Sequence, residues 1–211
     1  YHLAQCSRMK EATTVLERAA IILMGIKDWP NVQRTMSNLG LVALRSNDPS
    51  TGEHFYRRAL HLSHKLRFLG KEDLLWMNLA ICSAYQNNIQ KAERYFFRAL
   101  QQAKKKSAHR RMAIIYGNIS LLMLIQEKHS MCQKFLGFAR ILIKRFPHPM
   151  TEQLCLLVGS MRALVIQDYS EAYELATQCM QVVREKKFLF KASETLPILI
   201  EASAHNGKWT E

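Results

Sequence analysis

Three asparagines are spaced 40 residues apart, at Asn38, Asn78 and Asn118. An asparagine side chain offers both a hydrogen-bond donor and a hydrogen-bond acceptor. The backbone of an extended peptide also offers one of each per residue, so a row of asparagines could bind such a peptide. The alternative is that these amides tie neighbouring helices together or cap a turn.

Apolar residues recur three positions after each asparagine, and polar and apolar residues continue the spacing of three and four on either side. Residues at this spacing share one face of a helix. We name this set the stripe; its candidate peptide-binding residues are Arg34, Asn38, Leu41, Arg45, Asn78, Ile81, Tyr85, Asn118, Leu121 and Met161. An exposed apolar row would mark a binding groove. The alternative is that the apolar members bury against the next helix.

The chain has 30 lysines and arginines against 17 aspartates and glutamates, and its formal net charge of +13 favours acidic partners. Many of the cations cluster near expected helix ends. We name one such set the basic rim; it consists of Lys104, Lys105, Lys106, Arg110, Arg111, Lys144 and Arg145. Cations at a helix C-terminus complement the helix dipole, and the alternative is contact with nucleic acid or an acidic protein. Aromatic residues are missing from these clusters, which disfavours base stacking on single-stranded RNA.

The sequence contains no pattern typical of a catalytic site. Its eight histidines are scattered, without a nucleophile or carboxylate at an interpretable spacing, and there is no glycine-rich phosphate loop. Its five cysteines lack the paired spacing of a zinc site, which favours buried free thiols in a reducing compartment, cytoplasmic or nuclear. No apolar run is long enough for a membrane span. We therefore expect neither an enzyme nor a cofactor, metal or membrane contact.

The stripe must be positioned by a repeated helical unit. Within each 40-residue period, apolar residues recur at helical spacing and turn residues interrupt them twice, which predicts two antiparallel helices. The predicted helices span 10–26, 31–46, 50–66, 71–86, 90–106, 109–126, 130–145, 150–167, 170–186 and 193–206. We expect Ser50, Ser130 and Ser170 to be N-caps and Pro197 to lie in the first turn of the last helix.

The opening Trp76-x-x-Leu79-Ala80, followed by Ala92, Phe96 and Ala99, resembles the tetratricopeptide repeat (TPR). The resemblance covers essentially the whole chain and weakens toward its C-terminal end. The period is longer than the common 34 residues and is similar to the long repeats of kinesin light chains, LGN-type scaffolds and bacterial regulators. The resemblance implies an all-α fold, a right-handed α-solenoid (TPR superhelix) of about ten helices in antiparallel pairs. The first helix of each pair would line a concave face.

These expectations define a single array over residues 1–211. Partial repeats at 1–30 and 191–211 flank full repeats at 31–70, 71–110, 111–150 and 151–190. The chain begins without Met and in mid-repeat, so we expect it to be a piece of a longer array.

The expected function is a protein–protein interaction scaffold that binds a peptide or partner segment in the concave groove. Arg34 and Arg45 would favour acidic residues in that protein or peptide partner. The alternatives are a sensory TPR module of a transcriptional regulator and a nucleic-acid-binding solenoid that uses the basic rim.

Overall fold

A computed structural model describes residues 2–66, 71–186 and 192–207, and these contain ten α-helices and no β-strand. The helices are α1 (His2–Gly25), α2 (Trp29–Arg45), α3 (Pro49–Lys65), α4 (Glu72–Tyr85), α5 (Ile89–Lys105), α6 (His109–Ile125), α7 (His129–Arg145), α8 (Pro149–Val165), α9 (Tyr169–Lys186) and α10 (Ala192–His205). None of the helices in these ranges is long and apolar enough to cross a membrane. The all-α solenoid expected from the sequence is confirmed.

The predicted helix boundaries agree with the observed ones to within two residues except at the start of the first helix, and the proline of the last helix is also placed differently. Helix α1 begins at His2 rather than at residue 10, because residues 2–9 contain neither glycine nor proline to interrupt it. Pro197 lies inside α10 rather than in its first turn. The end of the repeat predicted at 31–70 falls in residues 67–70, which lie outside the described residues.

The chain divides into two compact units, Tyr1–Lys105 and Lys106–Glu211. In the first unit, α2 pairs with α3 and α4 pairs with α5, each across a three-residue turn, so the paired helices run antiparallel. One core cluster joins α1 to α4 and includes Met36, Leu39, Tyr56, Leu75 and Leu79. Burial of these side chains supplies the main force that holds the pairs together.

A side-chain network links α3 to α5 in the first unit. The Glu53 carboxylate accepts hydrogen bonds from Lys91 Nζ at 2.7 Å and from Arg57 Nε at 2.8 Å. Partial burial of Glu53 opposes its charge, but these two bonds outweigh burial and lower the pKa of the carboxyl group. Arg57 also donates to the Tyr95 hydroxyl at 2.9 Å. Successive second helices are therefore joined by polar contacts as well as by the core.

In the second unit, α6 packs on α7 and α8, and α8 packs on α9 and α10. The approach of α6 to α8 is close at Gly117, where an added Cβ would lie 3.0 Å from Leu154 Cδ2. Ala12 and Ala19 of α1, which continue the small-residue pattern backwards, are only half-buried. The other small residues of the pattern are fully buried at Ala59, Ala92, Ala99, Cys132, Ala139, Ala172, Ala176 and Cys179. The repeat pattern therefore marks the positions where two helices approach most closely.

The helix N-caps differ from the prediction. Asp48 Oδ1 accepts a hydrogen bond from the Thr51 backbone N–H at 3.0 Å, and Asp168 Oδ1 accepts one from the Glu171 N–H at 3.0 Å. The predicted caps Ser50 and Ser170 were wrong, because each lies two residues further on, inside the first turn. Ser130 lies inside α7 as well, since that helix is capped at Lys128 without a side-chain bond.

Helices α2, α4, α6 and α8 all end in the same turn. After α2, the Asp48 N–H bonds to Ala43 O and the Asn47 N–H bonds to Leu44 O, the pair of bonds that defines a Schellman motif. Equivalent bonds follow the other three helices. The residue with positive φ in these turns is not glycine in any of the four; it is Asn47, Asn87, Glu127 or Gln167.

Glycine at position 127 is expected to stabilise the second unit. Glu127 has φ of 58°, a left-handed conformation that costs most residues about 1–2 kcal/mol. Glu127→Gly removes that cost, but glycine loses more conformational entropy on folding, which offsets part of the gain. The free energy of unfolding should therefore rise by about 0.5–1 kcal/mol in urea titrations. Ser130→Gly, an exposed helical position nearby, is the control and should lower stability. A loss of stability on Glu127→Gly would contradict this account.

Candidate peptide-binding surface

The stripe of α2 faces solvent along its whole length. Arg34, Asn38 and Arg45 are exposed, and Leu41 is 40% exposed. The opposite face of α2 is buried in the core of the first unit. Helical spacing therefore separates a packing face from a face with two cations, one amide and one apolar side chain.

The stripe of α4 is less exposed. Asn78 and Ile81 are half-buried, whereas the Tyr85 side chain at the end of the helix is 66% exposed. Neither Asn38 nor Asn78 hydrogen-bonds through its side chain to another described residue. Both amides therefore keep a donor and an acceptor that a bound chain could use.

The third asparagine differs from the first two. Asn118 Nδ2 donates a hydrogen bond to the Ile114 carbonyl oxygen at 2.9 Å, one turn earlier in α6. We expected this amide to keep both ends available, and its nitrogen is already engaged within the helix. This bond lies within α6, so it differs both from an amide with both ends available and from a tie between neighbouring helices.

The apolar members of the stripe in the second unit are partly buried. Leu121 is half-buried, and Met161 packs against the core cluster that contains Leu157 and Cys179. Val158, which replaces asparagine in the fourth repeat, is fully buried. These side chains contribute to packing as well as to the surface.

Exposed apolar side chains also lie one turn beyond the predicted apolar row, at the ends of α6 and α8. Ile125 is 59% exposed and Val165 is 58% exposed, each as the last residue of its helix. They share the 40-residue period with Tyr85, and the helical spacing that defines the stripe leads to both of them. An exposed apolar row at these helix ends would extend the candidate binding surface.

The basic rim is distributed over both units. Lys104 and Lys105 are exposed in the last turn of α5 of the first unit, and Lys144 and Arg145 are exposed in the last turn of α7 of the second. These positions suit stabilisation of the helix dipole. Lys106 precedes α6 in the second unit and is half-buried.

A cavity of about 370 Å³ lies beside the start of α6 and is lined by Arg110, Arg111 and Phe146 among others. The His109 ring stacks on the Phe146 ring with centroids 4.7 Å apart, and the Arg145 guanidinium lies 5.5 Å from the same ring. The expectation that the basic clusters lack an aromatic residue was wrong, since Phe146 directly follows Arg145.

Among the residues whose side chains are described, four cysteines are buried and form no disulfide; they are Cys82, Cys132, Cys155 and Cys179. Burial raises the pKa of Cys82 to about 12 and that of Cys155 to about 12. A thiol with so high a pKa stays protonated at neutral pH and is a poor nucleophile and metal ligand. Cys6 lies outside the residues whose side chains are described.

No protein-family model matches the chain, and neither does any curated protein. Solved structures do match it. The crystal structure of BtubC (BKLC) from P. vanneervenii aligns with a TM-score of 0.68 and 16% identity, over 97% of this chain and 85% of that one. The crystal structure of the apo form of RapI aligns with a TM-score of 0.68 and 13% identity, over 99% and 81%. A TPR2AB-domain:pHSP90 complex of yeast Sti1 aligns with a TM-score of 0.37 and 11% identity, over 95% and 99%.

The fold is a TPR-like helical repeat. At these identities the likeness concerns the fold. Within the TPR-like repeat, the second helices of successive pairs begin 40 residues apart, at Pro49, Ile89, His129 and Tyr169. The period found in the sequence is therefore the spacing of the helical pairs.

Proposed function

We propose that this TPR-like chain is a protein–protein interaction scaffold whose first unit binds an acidic segment of a partner protein along the stripe. The observation that carries the proposal is the exposed face of α2. On this face Arg34 and Arg45 form no ion pair with a described residue, and they flank the unbonded amide of Asn38 and the apolar side chain of Leu41. A surface built this way lacks the neutralising acids that a purely structural face would carry.

The spacing of the two arginines indicates what the partner segment must offer. Arg34 and Arg45 are separated by 11 residues, or about 16 Å along the helix axis at a rise of about 1.5 Å per residue. An extended segment lying along the helix covers that distance in about five residues. Guanidinium groups pair with carboxylates through two parallel hydrogen bonds, so two acidic residues at this separation fit best.

The asparagines add hydrogen bonds that do not depend on the partner's side chains. The amides of Asn38 and Asn78 can each bond to a peptide backbone, with a net contribution of about 0.5–1.5 kcal/mol per bond. Leu41 and Tyr85 supply apolar contact between the polar groups. The 40-residue period supports a further proposal, that the chain is of the long-repeat TPR type.

The basic rim supports the nucleic-acid alternative less well. One face of the Phe146 ring is occupied by His109 and the ring is also in contact with Arg145, so it offers little surface for a base. The lysines at the ends of α5 and α7 are accounted for by the helix dipole. The regulatory alternative requires that a bound segment change the fold.

Selection of displayed random peptides against the protein tests the proposal. We expect enrichment of peptides with two acidic residues about five positions apart, because five extended residues cover the distance of about 16 Å between the two arginines. The variant Arg34→Glu/Arg45→Glu should weaken binding of a selected peptide about tenfold, or about 1.4 kcal/mol, measured by calorimetry. Arg18→Glu/Arg94→Glu is the matched control, since it makes the same charge change at exposed residues of α1 and α5 and should leave affinity unchanged.

The asparagines are tested on the same peptide. Asn38→Ala/Asn78→Ala should weaken binding without lowering the melting temperature, because alanine is the better helix former. Asn118→Ala should have a smaller effect on affinity, since its amide nitrogen is engaged by Ile114. Loss of stability with unchanged affinity in the double variant, or equal loss of affinity in both arginine variants, would contradict the proposed surface.

A further inference from the structure

A cavity of about 420 Å³ lies between α1, α2 and α3 in the first unit, away from the stripe. Its floor is apolar and includes Trp29, Val32 and Met36 of α2. Its rim is basic and includes Arg58 and His61 of α3. No aspartate or glutamate is among the residues that line it, and its volume lies within the range of about 300–1,000 Å³ that is usual for small-molecule sites.

The repeat explains why the space exists. Met36 occupies the position of Trp76 in the next repeat, and Arg58 occupies the position of Arg98. In that repeat the Arg98 guanidinium lies 5.0 Å from the centre of the Trp76 ring, and the Tyr95 ring lies 5.2 Å away from it. The first repeat therefore keeps the cation but lacks the ring beneath it.

The other repeats fit the same account. In the third repeat Tyr116 stands at the ring position and contacts Phe138, whose ring centre is 5.3 Å away. In the fourth repeat the position is occupied by Leu156, which again has no ring, and a cavity of about 350 Å³ borders it. That cavity is lined by Glu152 as well as by Arg140 and Lys144, and Gln178 stands at the position of Arg58, so the fourth repeat lacks the cation above the ring position. The cavity beside Met36 combines a vacant ring position with cations alone.

The cations at the rim differ in availability. Arg57 is engaged by the Glu53 carboxylate at 2.8 Å and by the Tyr95 hydroxyl at 2.9 Å. Arg58 is exposed and forms no ion pair with a described residue. A guanidinium above an aromatic ring gains a cation–π interaction, and it pairs strongly with a carboxylate.

We propose that this cavity binds a small aromatic carboxylate. The ring of the ligand occupies the place that Trp76 fills in the next repeat, in contact with Met36 and below Arg58. The carboxylate pairs with the Arg58 guanidinium at the rim. This site is independent of the stripe, so its failure would leave the proposed scaffold function untouched.

Titration with indole-3-acetate tests the proposal, because its ring copies that of Trp76 and its charge complements Arg58. We expect a Kd of about 0.1–1 mM by calorimetry and saturation-transfer NMR, as is usual for a ligand of this size. Arg58→Gln should weaken binding about tenfold, the loss expected for one charge-assisted contact. Arg98→Gln, at the equivalent position of the second repeat, is the matched control and should leave the Kd unchanged.

A second variant fills the cavity with a ring of the protein's own. Met36→Trp copies the second repeat and should abolish binding of indole-3-acetate while the protein stays folded, as judged by its circular dichroism. Tryptamine, which carries the same ring with a positive charge, should bind at least about tenfold more weakly than indole-3-acetate. Equal binding of indole-3-acetate and tryptamine, or an unchanged Kd in Arg58→Gln, overturns the proposal. If Met36→Trp does not fold, the Kd measured with Arg58→Gln decides whether the cavity is the site.

Discussion

Replacing Ala99 with arginine should lower the free energy of unfolding of the first unit by roughly 3–5 kcal/mol. Ala99 is fully buried, and it belongs to a column of small residues in the second helices of the pairs, with Ala59 in the same unit. An arginine side chain there needs space that the helix contact does not have, and its charge would be buried without a partner. The measurement is a urea titration followed by circular dichroism at 222 nm.

A matched control separates the burial of position 99 from the charge itself. Gln101 is exposed on the same helix, so Gln101→Arg should change stability by less than about 0.5 kcal/mol. Equal effects of Ala99→Arg and Gln101→Arg would mean that the small-residue column is not a helix contact. The same result would contradict the arrangement of α4 and α5.

Adding one methyl group at Gly40 should cost about 1–3 kcal/mol, the usual cost of overpacking a core. An added Cβ at this position would lie 2.8 Å from Tyr56 Cζ and 2.9 Å from the two neighbouring ring carbons. The Tyr56 ring cannot move away easily because it is itself fully buried. Gly40→Ala should therefore lower the midpoint of urea unfolding even though alanine favours the helix.

The second repeat indicates how the lost stability can be recovered. Ala80 and Phe96 stand there in place of Gly40 and Tyr56, so the larger residue on one helix faces a smaller ring on the other. The Tyr56 hydroxyl is buried without a hydrogen-bond partner among the described residues, and burial raises its pKa. Tyr56→Phe alone should be neutral or stabilising, because it removes an unsatisfied hydroxyl.

A double-mutant cycle measures this coupling. Gly40→Ala/Tyr56→Phe should be more stable than Gly40→Ala, with a coupling energy of about 0.5–3 kcal/mol, as expected for residues in contact. Additive effects of the two substitutions would show that the glycine and the ring do not oppose each other. A neutral effect of Gly40→Ala alone would contradict the close approach of the Tyr56 ring to the backbone at Gly40.

The helices and their packing faces could be predicted from the sequence because both depend on local spacing. Small residues such as Ala92 and Ala139 each belong to a column that recurs every 40 residues in the sequence, and this period is also the spacing of the buried helix contacts along the chain. The N-caps were missed for a local reason as well. Serine and aspartate both cap helices. Asp48 and Asp168 precede the predicted serine caps by two residues, and because each aspartate makes the capping bond, α3 and α9 begin before the serines.

The site was less predictable because its character depends on contacts between distant residues. Asn78 and Asn118 occupy equivalent positions in the sequence. The amide nitrogen of Asn118 donates a hydrogen bond to Ile114 within the helix, whereas that of Asn78 makes no such bond. The stacking of His109 on Phe146 joins residues 37 positions apart. The sequence shows that Met36 replaces a ring at a repeated position, but the cavity that results depends on how α1, α2 and α3 pack around it.

The shared turns after α2, α4, α6 and α8 close each helical hairpin in the same way, so a hairpin can be duplicated as a unit. The backbone bonds that close these turns involve no residue of the stripe. Selection for folding therefore acts on the turn and on the small-residue contacts, whereas selection for a partner acts on the exposed face. A duplicated hairpin can keep its architecture while its exposed face diverges, and binding specificity can change without a new fold.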